Sequence, residues 1–343
     1  MKKSLFERYV QKTPVQKEIK IPSIGDLLNE KESSGEFAAK DIEILILSVK
    51  DRESGDADKS PKWTVNRIKN WCTEHKVPYY VAYMGDCYVT KTDGELRIFN
   101  TGDGAGFVIN SEKTIAMIRG GAQITDSKMM ADLIAQLQRY NIFCINNLET
   151  IEACGDKYRT YLRLTDAGLP CPRSALVHNE GMINAAHEKI GGEFPVVVKL
   201  LSGSKGVGVF VVDSLKSLTS VLQVIWKTDE GAELLMQEYI ESEYDVRAHV
   251  LGDQVIAAMK RYVIKGDFRS NYSLGSEIEA VELDKKIKEI CISAAKAVGG
   301  LWVGVDVIFA KKDGKPYFLE INSSPGTFGI EKATKKDVVA EVM

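Results

Sequence analysis

Two short Val/Leu runs, residues 195–201 and 207–212, are separated by Ser202-Gly203-Ser204-Lys205-Gly206-Val207-Gly208. Apolar, β-branched runs of this length read as strands, so the glycine-rich segment joins strand to strand. That context rejects a Walker A loop, which needs GxxxxGK[ST] opening a helix. It also rejects a dinucleotide GxGxxG, which needs the same strand-to-helix setting. Two readings remain: a hairpin with structural glycines, or one that brings backbone N–H groups of Gly203, Gly206 and Gly208 close to an anion such as a nucleotide phosphate. Lys199 favours the second. A lysine inside a Val/Leu strand is costly unless its ammonium meets a negative charge. A protein-kinase hairpin is excluded, because no HRD-like or DFG-like segment follows.

The chain around this hairpin is too long for one core, and at 343 residues it suits two or three lobes. Residues 1–40 read as an extension. The first twenty carry six Lys/Arg against two acids, and nothing there has core periodicity. From residue 41 the pattern becomes α/β. A near-continuous apolar run at 42–49 predicts a buried parallel strand, and Ser60-Pro61 opens a helix reaching about His75. Strands follow at 77–83, 87–90, 96–99, 107–110 and 114–118, then a helix at 126–140 and a strand at 142–145. This gives an open α/β domain over 41–146. Residues 147–343 then read as an α+β unit: a helical stretch at 148–167, paired strands around the glycine hairpin, and a long helix at 283–298. Its lid subdomain is expected at about 170–238.

Composition narrows the chemistry. A net charge of −3 gives no basic field for nucleic acid. No apolar run approaches the ~20 residues of a membrane helix, and the N-terminus lacks the apolar core of a secretory signal, so a cytoplasmic protein is expected. The six cysteines contain no CxxC pair, and the four histidines form no ligand or triad spacing. Any catalysis rests on Lys, Arg, Asp, Glu and Asn.

A terminal hairpin supplies such residues. With Lys312-Asp313-Gly314 as the turn, Lys311 pairs with Lys315, and counting outward sets Asp306 opposite Glu320. Asn322 lies on the same face, while Val305, Val307, Leu319 and Ile321 point to a core. Facing carboxylates repel unless a cation joins them. Two carboxylates and an amide oxygen suit magnesium bridging nucleotide phosphates, the alternative being an exposed acidic face. The strand 235–240 running into Glu241-Ser242-Glu243-Tyr244-Asp245 could offer backbone groups to a purine edge, or be an ordinary strand and loop. Lys265-Gly266-Asp267-Phe268-Arg269-Ser270-Asn271 is a polar loop whose arginine could hold a phosphoryl group or a carboxylate.

Taken in this order, these segments resemble the ATP-grasp superfamily, and more closely the RimK-like glutamate ligases. The resemblance is carried by Asp156-Lys157, residues 196–209 and 237–240, Asp245-Val246-Arg247, residues 266–271, Gly304-Val305-Asp306 and the run Glu320-Ile321-Asn322-Ser323-Ser324-Pro325-Gly326, then Gly329-Ile330-Glu331-Lys332. It covers about 146–332. Where many relatives have two adjacent arginines before the 266–271 loop, Arg261 is followed here by Tyr262.

The resemblance implies an ATP-grasp fold preceded by an α/β domain. It implies an ATP- and magnesium-dependent carboxylate–amine ligase, with manganese as the alternative ion, forming an amide through an acyl phosphate. Lys157 and Lys199 would contact the phosphates, with the hairpin of Gly203, Ser204, Gly206 and Gly208 closing over them. Glu238, Tyr239 and Ile240 would line the adenine, and Asp245 would hold the ribose. Arg269, Ser270 and Asn271 would reach the phosphates or the reacting carboxylate, making Arg269, Lys199 and Asn271 the catalytic set. Asp306, Glu320 and Asn322 would ligate the metal. The implied substrates are an amino acid such as glutamate and a protein or peptide C-terminus, with no nucleic acid or membrane partner; a homo-oligomer is compatible. Other readings are a small-metabolite or natural-product peptide ligase, or an inactive nucleotide-binding module.

Overall fold

The computed structural model describes residues 42–49, 61–92, 94–120, 122–125, 127–201, 208–264 and 275–343. The extension 1–40 therefore lies outside the described residues, as do Gly203, Ser204, Gly206, Arg269, Ser270 and Asn271.

The apolar run near residue 42 forms β1 (Glu43–Val49), a central strand buried along almost its whole length because its alternate side chains enter two clusters on opposite faces of the sheet. Its neighbours are β2 (Tyr79–Met84) and β6 (Thr114–Arg119), and β7 (Phe143–Ile145) lies beyond β6. All these pairings are parallel. Helix α1 (Pro61–Glu74) makes the β1-to-β2 crossover, with Pro61 at its first position and Val65, Ile68 and Cys72 buried at helical spacing. The hairpin β3 (Cys87–Thr92) and β4 (Glu95–Asn100) joins β5 (Phe107–Ile109) in a small antiparallel sheet. Two helices follow it, α2 (Ala122–Thr125) and α3 (Lys128–Arg139). The Ser127 hydroxyl caps α3 by accepting from the Met130 N–H.

The helical stretch expected at 148–167 is two helices, α4 (Leu148–Gly155) and α5 (Lys157–Asp166). Asp156 breaks it. Its backbone is extended, and its carboxylate accepts from the N–H groups of Tyr158 and Arg159, capping the second helix. The capping acid outweighs the continuous periodicity and sets Lys157 in the first turn of α5.

A second sheet, ordered β10 (Val209–Val212), β9 (Val196–Leu200), β11 (Leu234–Glu238), β8 (Ser174–Val177), is antiparallel throughout. Helices α6 (Ile183–Lys189) and α7 (Leu215–Thr228) cover one face, burying Val196, Val198, Leu218, Leu222, Leu234 and Met236 in a separate cluster. Alternation turns Lys199 and Gln237 to the opposite face.

The third sheet is also antiparallel. It contains β14 (Ile278–Ala280), β13 (Gln254–Tyr262), β12 (Tyr244–Leu251), β15 (Trp302–Phe309) and β16 (Pro316–Asn322) in that order. Helix α8 (Lys285–Ala297), capped by Asp284, packs on one face against Val246, Ala248, Val303, Val305, Val307 and Phe318. The other face is divided. At one end, Ala257, Met259 and Trp302 share a core with Ile44, Ile46, Ile68 and Met117 of the N-terminal elements. At the other end it carries Asp245, Arg247, Arg261, Asp306 and Glu320. Two terminal helices, α9 (Phe328–Thr334) and α10 (Val338–Val342), close the chain beside α1. No helix among the described residues is long and apolar enough to cross a membrane.

Candidate active site

The β15–β16 ladder sets Asp306 opposite Glu320 by a route different from simple counting. Near the turn Phe309 pairs with Pro316 and Val307 with Phe318, one residue short of the expected register. A bulge at Leu319 then restores Asp306 opposite Glu320 and Asn322 opposite Gly304. Two departures cancel. The bulge also corrects the core assignment, because Phe318 packs with Val305, Val307 and Ile321 while Leu319 is left half-buried.

Asp306 is almost fully buried, and its carboxylate is held by two arginines, one from the adjacent β12 and one from β13 beyond it. Arg247 donates from Nε and Nη2 at 2.7 and 2.5 Å, and Arg261 from Nη2 at 2.9 Å. Arg247 also lies 3.6 Å from Glu320, between the two facing acids. Burial alone would raise the Asp306 carboxyl, but Arg247 and Arg261 outweigh it and hold the group well below the usual carboxylate range. Asn322 donates to Glu320 Oε1 at 3.2 Å, which leaves its own carbonyl oxygen available as an acceptor.

This donor set fits a hard divalent cation. Two carboxylates and an amide oxygen share one face, and a guanidinium already bridges the acids. Among the described residues no cluster of three His, Cys, Asp or Glu side chains could hold a metal alone, so phosphate and water would complete the shell.

Asp245 belongs to the same buried network. It faces Arg261 across the β12–β13 ladder, and its two oxygens accept from Arg261 Nε and Nη2 at 2.6 and 2.7 Å. Both side chains are buried. Glu238, at the end of β11, accepts from the backbone N–H, Nε and Nη2 of Arg173 at 2.7, 2.8 and 2.6 Å. Tyr239 and Ile240 follow it as half-buried residues between β11 and β12.

On the second sheet, Lys199 Nζ donates to Gln237 Oε1 at 2.7 Å, and Gln237 Nε2 donates to the Ser174 hydroxyl at 2.8 Å. Burial pushes the Lys199 ammonium down to about 8; Glu320 opposes that shift and Lys157 adds to it. Lys157 Nζ donates to the Leu201 carbonyl at 3.1 Å. Lys157, Lys199 and Glu320 thus come from three separate elements into one electrostatic neighbourhood. Gly208 closes the described part of the glycine hairpin with φ +78°, and a Cβ there would approach Leu200 Cδ1 at 2.6 Å. Both facts require glycine.

Sequence reasoning singled out Lys199 but did not assign site roles to Gln237, Arg173, Arg247 or Arg261. The signal was present for two of them: Arg247 and Arg261 interrupt apolar strands as Lys199 does. His249 lies on the same face, buried and with neither ring nitrogen bonded among the described residues. Burial lowers its pKa to about 3, so it is a neutral strand residue.

A strand lysine, Lys199, and a helix lysine, Lys157, are brought close to the facing carboxylates, which is the layout of a nucleotide clamp. The sequence profile of the RimK-like ATP-grasp domain matches residues 154–343, and the chain belongs to that family of ATP-dependent carboxylate–amine ligases. Among its relatives, a "Probable alpha-L-glutamate ligase" of Saccharophagus degradans is 37% identical over 213 residues, spanning 62% of this chain and 69% of the relative. The fold is shared with the ATP-grasp ligase PsnB solved with a minimal precursor, at a TM-score of 0.65 and 22% identity, covering 88% of this chain and 97% of PsnB. PsnB solved with precursor, Mg and ADP superposes at 0.62, with 20% identity, covering 87% and 95%.

Proposed function

We propose that this ligase joins an amino acid such as glutamate to the carboxylate of a protein or peptide through an acyl phosphate. A carboxylate oxygen attacks the γ-phosphorus of ATP, the bond to the β-phosphate oxygen breaks, and ADP leaves. The amine nitrogen then attacks the acyl carbon, phosphate departs with the bonding electron pair, and the amine gives up a proton as the amide forms. Lys157 and Lys199 hold the phosphates, Asp306, Glu320 and Asn322 provide the metal ligands, and Arg269 and Asn271 orient the reacting groups. A bound magnesium ion supplies charge neutralisation at the phosphate oxygens. Tyr239 and Ile240 provide the adenine wall. No protein nucleophile is needed; positioning and charge neutralisation carry the reaction.

The observation that carries this reading is Lys199. It is a strand lysine on a neutral partner, facing Glu320 across the site, with its ammonium destabilised by burial. An arriving phosphate is the counter-charge it lacks. The names of the curated relatives favour glutamate as the amine, and the precursor bound to PsnB favours a peptide as the acceptor. That second likeness also keeps natural-product peptide ligation as a specific alternative. ADP release over an amino-acid panel, with and without candidate peptides and with mass spectrometry of products, separates the two. Glutamate addition at a C-terminus supports the first reading and a side-chain linkage the second. Absence of acceptor-dependent ADP release, or full turnover by Glu320→Gln, would contradict both.

A further inference from the structure

β16 ends at Asn322, and the next five residues leave the sheet without a neighbouring strand. They are gripped at alternate positions by three side chains from three N-terminal elements. Asn146, just past β7, donates from Nδ2 to the Ser323 carbonyl at 2.7 Å. Arg119, at the end of β6, donates from Nη2 to the Pro325 carbonyl at 2.5 Å. Thr64, in α1, accepts from the Thr327 N–H at 3.1 Å, and the two hydroxyls lie 3.3 Å apart. Thr64, Arg119, Asn146, Ser323, Pro325 and Thr327 are all buried, whereas Ser324 is half-buried and Gly326 exposed.

The grip also reaches β15. Asn146 donates to the Trp302 carbonyl at 2.6 Å and accepts from the N–H groups of Leu301 and Trp302 at 2.8 and 3.2 Å. One buried amide therefore ties the start of β15 to the exit of β16. Arg119 stacks on Trp302, 4.5 Å from the ring, and has no carboxylate partner among the described residues. Gly304 completes the fit, since a Cβ there would come within 2.9 Å of Pro325. Burying a guanidinium without an acid is costly. Here its described polar contact is with the segment that follows two proposed metal ligands.

We infer that Thr64, Arg119 and Asn146 are positioning residues that fix Glu320 and Asn322 for the metal–nucleotide complex, making the N-terminal elements part of the ligase machinery. The inference rests on the proposed function, because it takes Glu320 and Asn322 as metal ligands. Asn146 and Arg119 each hold a carbonyl and Thr64 a backbone N–H, so the grip acts mainly on the main chain of 323–327 and sets where the strand end lies. Partners that orient metal ligands change metal affinity by roughly 10–100-fold when removed.

The test is a magnesium titration of fluorescent ATP-analogue binding to the 343-residue chain, wild type against Arg119→Met, Asn146→Ala, Thr64→Val and Thr64→Ser. The expected result is a rise of about tenfold or more in half-saturating magnesium for Arg119→Met and Asn146→Ala, with metal-free nucleotide affinity within roughly twofold of wild type. Thr64→Val shifts in the same direction, and Thr64→Ser, which keeps the hydroxyl, restores the wild-type value. Unchanged magnesium dependence, or equal losses with and without metal, overturns the inference and leaves a purely structural grip. Should Arg119→Met or Asn146→Ala fail to fold, the Thr64 pair decides alone. Wild-type binding that ignores magnesium would instead overturn the proposed metal ligands, and the inference with them.

Discussion

The second and third sheets each set basic residues into apolar strands, but they compensate them differently. Lys199 meets a neutral amide and nearby Lys157, and its ammonium is destabilised down to about 8. Arg261 meets Asp245 and Asp306 in a buried network; burial alone would lower its pKa, and the two carboxylates outweigh that and raise it. One sheet holds a cation awaiting an anion, while the other is already neutralised. Substitution of Arg261 in the third sheet should therefore be felt first as stability, and of Lys199 in the second first as binding.

The largest expected effect is at Arg261. Arg261→Met removes the bidentate partner of buried Asp245 and one of the two arginines on Asp306, and should cost about 3–5 kcal/mol in urea unfolding. A loss under ~1 kcal/mol would erase the distinction between the sheets. Lys199→Met is next and should move the other observable. Unfolding stability should stay within ~1 kcal/mol of wild type, because an apolar chain replaces an undercompensated ammonium. Nucleotide affinity should fall by ~2 kcal/mol, roughly thirtyfold. Equal damage to stability would place Lys199 in the structural class with Arg261.

Acidity sharpens the same contrast. The folded protein holds the Lys199 pKa below its ordinary 10.5, so the unfolded chain binds the extra proton between about 8 and 10.5. Lys199 therefore opposes stability below that window and ceases to do so as pH rises through it. Nucleotide binding has the opposite trend. Affinity should drop by about tenfold per pH unit above 8, as the free protein loses the ammonium it must regain. The same titration of Lys199→Met should be flat there. The smallest effect is expected at Arg173, whose side chain is exposed in its ion pair with Glu238. Arg173→Ala should change stability by less than ~1 kcal/mol.

The sequence made most strands and helices legible, because periodicity and capping residues are local; the three-residue β14 was too short to show a period. The exception at 148–167 is instructive: a single aspartate with the backbone geometry of a cap divides a stretch whose apolar spacing continues across it. The opposition of Asp306 and Glu320 was also legible, although the turn shift and the bulge at Leu319 that jointly produce it were not. Least legible were the arginine pairings. Arg261 meets Asp306 only because β13, β12 and β15 lie in that order, a non-local fact absent from any single segment. Asp245 is a second case, since its partner Arg261 lies across the ladder on β13 rather than in its own segment.

The most direct measurement is calorimetric titration of ATP with magnesium at about pH 9, in buffers of different ionisation enthalpy, to count protons exchanged on binding. If the nucleotide phosphate is the counter-charge of Lys199, the wild type takes up close to one proton per ATP and Lys199→Met takes up almost none. Tight wild-type binding without proton uptake, or equal uptake by the variant, would contradict that assignment.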